Sequence, residues 1–140
     1  MQWQVNSHTV YAYTGGKPFK ADQPTVVFVH GVLNDHSVWI LQSRYLANHG
    51  WNVLALDLPG HMRSQGPCPQ RVEDAADWVV AVLDAAQIDR AAVVGHSWGA
   101  LIALEAAARH PARVSHLAMV GVAFPMKVSE VLLRDSIDNP

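Results

Sequence analysis

The chain has 140 residues, of which 50% are hydrophobic and 16% are charged, and its formal net charge is −2. Length and composition predict a single globular domain that buries about two-thirds of its unfolded surface. No run of lysine and arginine occurs, so we expect no nucleic-acid partner. No apolar run approaches the ~20 residues that cross a bilayer, so we expect no membrane association.

The single cysteine, Cys68, has no second cysteine with which to form an intrachain disulfide. This favours a reducing compartment, and we expect a cytoplasmic protein. The N-terminal residues contain no basic segment followed by an apolar block, so no signal peptide is predicted.

The first half of the chain predicts a strand, a second strand and a helix. Loose alternation up to Gly15–Gly16 indicates a short strand or hairpin closed by a turn. A continuous β-branched and aromatic run at 25–30 indicates a strand covered on both faces. A helix follows and stops near Gly50. Its candidate caps are Asn34, Asp35 and Ser37. Its expected inner face consists of Trp39, Leu41, Tyr45 and Leu46.

Strands and helices then continue to alternate. Further buried strands are predicted at 51–57, 91–96 and 113–122. Residues 72–86 have helical apolar spacing, and the helix after the third strand, almost all Ala, Leu and Ile, should be buried on most sides. The last residues predict a loop and a short amphipathic helix. This order requires right-handed crossovers, so it predicts an α/β fold with a doubly wound, mostly parallel sheet and helices on both faces.

The sequence Gly-His-Ser-Trp-Gly at residues 95–99 lies between a predicted strand and a predicted helix. In that context, G-x-S-x-G is typical of a turn that presents a serine hydroxyl above a sheet. Neither G-x-G-x-x-G nor G-x-x-x-x-G-K-[ST] occurs here, so no dinucleotide or P-loop site is predicted. Such a turn strains the backbone of Ser97, and Gly95 and Gly99 relieve crowding on either side. Ser97 is the candidate nucleophile; the alternative is a plain turn with a capping serine.

A second candidate element follows the first parallel strand. His30 and Gly31 end this strand at the carboxyl edge, where ligands bind in open α/β sheets. The N–H groups of Val32 and Trp98 would form a two-donor oxyanion hole, each donor stabilising the transition state by about 3 kcal/mol. We interpret His30 as a structural hydrogen-bonding group, and the loop 57–64 as architecture rather than catalytic machinery.

Four ordered motifs carry a resemblance: HGVLNDHSVW, DLPGHMRS, GHSWGA and HPARVSHLAMVG. Over almost its whole length the chain resembles the α/β-hydrolase superfamily, in its serine hydrolase or esterase-like branch. The resemblance implies that Ser97 is the nucleophile, that Val32 and Trp98 supply the oxyanion donors, and that neither a metal nor an organic cofactor is needed. A serine in the turn argues against the dehalogenase and epoxide-hydrolase branches, which attack through a carboxylate. The supporting residues are His30, Gly31, Gly95, His96 and Gly99.

Two features depart from the family pattern. Met62 occupies a loop position that is usually glycine, and a non-glycine residue disfavours a left-handed backbone there. In this family the order is serine, acid, histidine. Asp135 and Asp138 fall in a lid-like helix and no histidine follows His116, so we expect the acid and the histidine to lie outside these 140 residues.

These motifs predict the division of the chain and its activity. Residues 1–124 are expected to form the N-terminal part of a hydrolase core that lacks its last strands and helices, and 125–140 to begin a lid. The parent is expected to hydrolyse a small-molecule carboxylic ester or related acyl bond through an acyl-enzyme. Loss of a catalytic histidine removes about 10⁶ in turnover, so the chain alone should be nearly inactive.

Alternatives stay open at this point. One upstream histidine can substitute for the base if it reaches the serine oxygen; the candidates are His30, His36 and His61. The chain can instead be a non-catalytic binding or assembly module that associates through an exposed strand edge, or a C–C bond hydrolase or acyltransferase. Three aromatic residues either line an apolar acyl pocket or belong to the core: Trp39, Trp98 and Phe124.

Overall fold

The computed structural model describes residues 1–123, 125 and 127–139. The strands are β1 Gln2–Val5, β2 His8–Tyr13, β3 Thr25–Val29, β4 Asn52–Leu56, β5 Ala91–His96 and β6 Val114–Val120. The helices are α1 Ile40–Ala47, preceded by a 3₁₀ turn His36–Trp39, then α2 Val72–Ala85, α3 Trp98–Arg109 and α4 Glu130–Asp138.

One six-stranded sheet organises the described residues, in the order β1-β2-β4-β3-β5-β6. The three pairs among β3, β4, β5 and β6 are parallel, whereas β1 and β2 form an antiparallel hairpin that joins the sheet through β4. The predicted α/β class and mostly parallel sheet are therefore confirmed. The hairpin turn is Asn6–Ser7, not Gly15–Gly16, because Val5 pairs with His8 across it. Both of its residues have the positive φ that a tight two-residue turn requires.

The two faces of the sheet bury separate clusters, as the doubly wound prediction requires. Val27 and Val29 of β3 belong to the cluster that packs under α2 and α3. Val26 and Phe28 belong to a second cluster beside α1. Alternation of side chains along a strand sends neighbouring residues to opposite faces, so both faces of β3 are covered.

The inner face predicted for α1 is partly wrong. Leu41 and Tyr45 are exposed, while Trp39, Ser43 and Ala47 are buried. These three residues are four apart and share one helix face. That face packs on the turn at Gly15, where a Cβ would overlap the Ser43 carbonyl and the Ala47 methyl group. Close approach therefore leaves no room for a larger residue at 47, while Leu41 and Tyr45 lie on the exposed side of the helix.

The strand prediction at 113–122 is confirmed, but the prediction that this strand is buried is wrong. β6 forms one edge of the sheet, and only Val114 in it is buried. Leu117, Met119 and Val120 are between 37% and 47% exposed. Helix α3 also exposes Leu104 on its outer side. Within the described part of the chain, no helix is both long enough and apolar enough to traverse a bilayer.

Candidate active site

The turn between β5 and α3 holds Ser97 in an uncommon backbone conformation, with φ 57° and ψ −121°. β5 ends at His96 and α3 begins at Trp98, so the serine forms the whole connection. Its backbone N–H donates to the carbonyl oxygen of Val120 at 2.9 Å, which ties the turn to β6. The predicted strain is thus present, and such strain concentrates at functional sites.

The glycines around Ser97 are required by close packing. A Cβ on Gly95 would overlap the Gly99 carbonyl, and a Cβ on Gly99 would overlap the Val29 carbonyl. A Cβ on Gly31 would lie 3.1 Å from the Cβ of Ser97 and 3.4 Å from Nδ1 of His96. The predicted supporting residues of the two loops are therefore brought together, with Gly31 directly against the serine turn.

A cleft of about 600 Å³ opens beside this turn and contains both predicted oxyanion residues, Val32 and Trp98. Because α3 begins at Trp98, the amide of that residue belongs to the first turn, whose N–H groups have no carbonyl partner in the helix. The assignment of these two amides as oxyanion donors stays a prediction. The other residues lining the cleft are Leu33, Asn34, Asp35, Gly60, His61, Met62, Cys68, Pro69, Ser136 and Asn139.

The turn that carries Val32 is strained in its own right. The Asn34 N–H donates to the Gly31 carbonyl at 3.3 Å, and Leu33 has φ +60°. A positive φ at the third position defines a type II turn, which normally selects glycine there. Leu33 is also half-exposed and lines the cleft. Sequence reasoning missed this residue, because leucine gives no local signal for a left-handed backbone.

His30 has the structural role that the sequence predicted. It is fully buried, its Nε2 accepts from the Leu58 N–H at 3.1 Å, and its Nδ1 lies 2.8 Å from the Gly31 carbonyl. Because a carbonyl only accepts, Nδ1 carries the proton. Burial lowers the pKa of His30, more than the hydrogen bond to the Gly31 carbonyl raises it. With both ring nitrogens occupied, the neutral ring holds the end of β3 against the loop after β4.

His36 is also engaged in structure. Its Nδ1 donates to Oδ1 of Asp57 at 2.8 Å, and its backbone N–H donates to the same oxygen at 2.9 Å. Tyr11 and Tyr13 flank the imidazole, with ring centroids 5.1 and 5.9 Å away. Asp57 is completely buried, and its other oxygen accepts from the Arg63 N–H at 3.2 Å. The interpretation of the 57–64 loop as architecture agrees with these contacts.

Asp35, His36 and Asp57 place three possible metal ligands within 4.8 Å of one another. The Asp57 oxygens already accept protein N–H groups from His36 and Arg63. The cluster therefore has a complete explanation as a link between loops, and the prediction that no metal takes part is unchanged.

His61 is the candidate base that lies in the cleft. Its Nδ1 donates to the Pro59 carbonyl at 3.0 Å, and its ring centroid lies 5.0 Å from that of His30. Next to it, Met62 has φ +44°. The loop therefore keeps a left-handed backbone here, although methionine disfavours it. The Met62 side chain is exposed and lines the cleft.

Residues of the predicted lid also reach the cleft. The predicted amphipathic helix is present as α4, capped by the Ser129 hydroxyl, which accepts from the Leu132 N–H at 3.1 Å. Ser136 and Asn139 line the cleft. Phe124, a candidate for an acyl pocket, lies outside the described residues. Trp39 instead packs on Phe28 in the core, with ring centroids 4.8 Å apart, whereas Trp98 does line the cleft.

A family model described as the α/β hydrolase fold matches residues 24–137. The chain belongs to the α/β-hydrolase fold family. It is 43% identical over 96 residues to a pimeloyl-[acyl-carrier protein] methyl ester esterase of Neisseria meningitidis, a match that covers 67% of this chain and 35% of the esterase. It is 37% identical over 105 residues to epoxide hydrolase B of Mycobacterium tuberculosis, covering 73% of this chain and 29% of that enzyme.

Among solved structures, this α/β-hydrolase chain is similar to a bacterial membrane phospholipase A. The TM-score is 0.81 at 31% identity, and the match covers 95% of this chain and 43% of the phospholipase. The chain spans about a third of the length of the curated relatives that it matches. The chain therefore has the α/β-hydrolase fold, and the three enzymes named above are hydrolases.

Proposed function

We propose that this chain provides the nucleophile and the oxyanion hole of a serine hydrolase that acts on carboxylic esters or related acyl bonds. The observation that carries the proposal is the backbone of Ser97, held at φ 57° and ψ −121° between β5 and α3. Gly31 packs against this residue, and the adjacent cleft is bounded by Val32 and Trp98. Left-handed φ values also occur in the hairpin turn Asn6–Ser7, but ψ −121° places Ser97 outside the left-handed well, in a region that is unfavourable for serine.

The reaction begins with attack of the Ser97 oxygen on the substrate carbonyl carbon. The carbonyl π electrons move to oxygen, and the amides of Val32 and Trp98 donate to that oxyanion. The start of α3 adds a favourable field for the negative charge. The carbonyl re-forms as the bond to the leaving oxygen breaks, a base having taken the serine proton and passed it to the departing alcohol. Water then cleaves the acyl-enzyme by the same route in reverse.

The proton transfers need a histidine within about 3 Å of the serine oxygen, directly or through water. His30 and His36 are held by Leu58, Gly31 and Asp57. We therefore propose that the base and its acid are not among the described residues, and that the 140-residue chain alone turns over esters slowly. His61 is the alternative within the chain, because it lines the cleft.

Ser97 also bears on the choice between branches of the family. The epoxide hydrolase and the methyl ester esterase are both relatives at more than 35% identity. A serine cannot form the alkyl ester of a carboxylate that the epoxide-hydrolase branch uses. The serine hydroxyl instead favours acyl transfer to oxygen, as ester hydrolysis requires. C–C bond hydrolysis and acyl transfer to another acceptor use the same nucleophile and remain rival reactions.

Covalent labelling tests the nucleophile. A tagged fluorophosphonate is incubated with the full-length gene product and with the 140-residue chain, and the modified peptide is identified by mass spectrometry. We expect phosphonylation at Ser97, fast in the former and slow in the latter, abolished by Ser97→Ala. Ser136→Ala is the matched control, because Ser136 lines the same cleft and its loss should leave labelling intact. Absence of label at Ser97 in the full-length product contradicts the proposal.

A second candidate function rests on the edge strand β6. Val120, one of its exposed apolar residues, lines a groove of about 660 Å³ on the α1 side of the sheet, together with Phe28, Val94 and others. An apolar, unpaired edge invites pairing with another chain, so a non-catalytic assembly module is the alternative. Size-exclusion chromatography of the chain at several concentrations separates the two, because a stable monomer contradicts edge-driven association.

We also propose that residues 125–140 begin a lid, supported by the position of Ser136 and Asn139 at the cleft. A location in the cytoplasm is supported by Cys68, which is exposed and unpaired, as expected for a thiol kept reduced.

A further inference from the structure

The described lining of the cleft has more negative than positive formal charge. Among its described lining residues, Asp35 carries a formal charge at neutral pH, and none is lysine or arginine. Arg63, on the neighbouring loop, lies over the face of the Tyr11 ring, 4.8 Å from its centroid. The charged carboxylate therefore faces the cleft without a basic side chain lining the same space.

Local hydrogen bonds hold Asp35 in its charged form. Its Oδ1 accepts from the Ser37 N–H at 2.7 Å, as the cap of the 3₁₀ turn. Burial raises the pKa of Asp35, but the hydrogen bonds from the hydroxyl and the amide of Ser37, together with the nearby His36 and His30, lower it, and the net pKa lies below its usual value. At neutral pH this carboxyl is ionised.

The nearest imidazole does not neutralise Asp35. Nδ1 of His36 lies 3.9 Å from Oδ1 of Asp35, but only 2.8 Å from Oδ1 of Asp57, to which it donates. The side chain of Asp35 keeps 27% of its surface exposed. A partly exposed charge at the wall of a cleft acts on any charged group bound there, over distances up to about a Debye length.

We propose that Asp35 sets the charge preference of this cleft, so that it binds acyl compounds with a cationic end more tightly than neutral ones, and neutral ones more tightly than those with a carboxylate. This inference rests on the proposed function in one respect, because it assumes that the substrate binds in this cleft. At about 8 Å and an effective dielectric constant of about 40, one charge alters affinity by roughly fivefold in each direction. The cation should therefore bind about fivefold more tightly than its neutral analogue, and the carboxylate about fivefold more weakly.

Three non-reactive ligands isolate this effect. They are N-methylbenzamides with a para trimethylammonium, tert-butyl or carboxylate group; the first two have nearly the same shape and differ in charge. Dissociation constants are measured with the isotope-labelled chain by NMR, from the shifts of the Trp98 indole and backbone N–H signals. We expect the affinity order cation, neutral, carboxylate, with differences that shrink as salt is added.

Asp35→Asn is the decisive variant, because asparagine caps a helical turn as well as aspartate and removes only the charge. It should bring the three affinities to within about twofold of one another and leave that of the neutral ligand unchanged. Asp22→Asn, the same charge change at an exposed position away from the cleft, should retain the full preference. A preference that survives Asp35→Asn overturns the proposal.

The outcomes remain distinct from those of the labelling experiment, because these ligands do not react with Ser97. Absence of binding by all three ligands overturns the cleft as a binding site, even if Ser97 is labelled. A charge preference found without labelling at Ser97 supports the role of Asp35 and contradicts the serine mechanism alone.

Discussion

The Nδ1 atom of His36 lies 2.8 Å from Oδ1 of Asp57, and this contact joins the loop after β3 to the loop after β4. The backbone N–H of His36 donates to the same oxygen, and the Arg63 N–H donates to the other. One buried carboxylate therefore fixes both loops that border the cleft. The position of the Val32 turn depends on this link as well as on the strand that precedes it.

Asp57→Ala should destabilise the fold by about 2–4 kcal/mol, because it leaves two partly buried amides and an imidazole without their acceptor. The free energy of unfolding, measured in urea, tests this expectation. Asp22→Ala removes an exposed carboxylate and should change that free energy by less than about 0.5 kcal/mol. Equal effects of the two substitutions would show that the Asp57 contacts contribute nothing to stability.

Alanine substitutions at two glycines compare the stability cost of steric overlap with that of backbone strain. A Cβ at Gly99 would overlap the carbonyls of Val29 and His30, whereas Gly50 has open space around it but φ +86°. Gly50→Ala should therefore cost about 1 kcal/mol, the usual penalty of a left-handed alanine. Gly99→Ala should cost about 3 kcal/mol or more, because the helix must move away from β3.

Thermal or urea unfolding of both variants measures the difference. Circular dichroism at low denaturant shows whether Gly99→Ala still folds. If the two variants lose the same stability, the tight contact between α3 and β3 is not a constraint on the fold.

Much of the fold is predictable because strand and helix periods are local properties of the sequence. The run at 25–30 is buried on both faces of β3, and residues 72–86 give α2 within one residue. The serine turn was predictable too, because Gly95 and Gly99, two residues before and after Ser97, indicate a turn too crowded for side chains at those positions.

The failures have a common cause in tertiary packing. Leu41 and Tyr45 are exposed, while Ser43 and Ala47 lie against Gly15, about 28 to 32 residues earlier in the chain. The pair His36–Asp57 depends in the same way on two loops that meet only in the folded state. No periodicity or motif encodes such contacts.

His30 should make stability depend on pH. Its pKa in the folded protein lies below the ordinary value of 6.5, mainly because of burial. Above about pH 6.5 the ring is neutral in both states and its contribution to stability is constant. As the pH falls below 6.5, the unfolded chain binds a proton that the folded ring does not. The free energy of unfolding therefore decreases, and this decrease ends once the pH is below the pKa of the folded ring.

The variant His30→Gln keeps a polar group at this position and cannot titrate. We expect it to be less stable at pH 7.5, but to lose less stability than the original chain between pH 7.5 and 5.5. Urea unfolding at the two pH values gives both free energies. Identical losses in the two proteins would show that His30 does not couple folding to protons.

The strain at Ser97 predicts a conflict between stability and reactivity. Glycine adopts φ 57° and ψ −121° without a steric penalty, whereas serine and alanine do not. Ser97→Gly and Ser97→Ala both remove the hydroxyl and any bond that it makes, so their difference isolates the backbone. We expect Ser97→Gly to be more stable than Ser97→Ala by about 1–2 kcal/mol, because the relief of backbone strain exceeds the entropy that glycine gains in the unfolded chain. We expect neither variant to react with the fluorophosphonate. If the alanine variant is the more stable of the two, the turn holds no strain at position 97, and the chief support for a specialised nucleophile is lost.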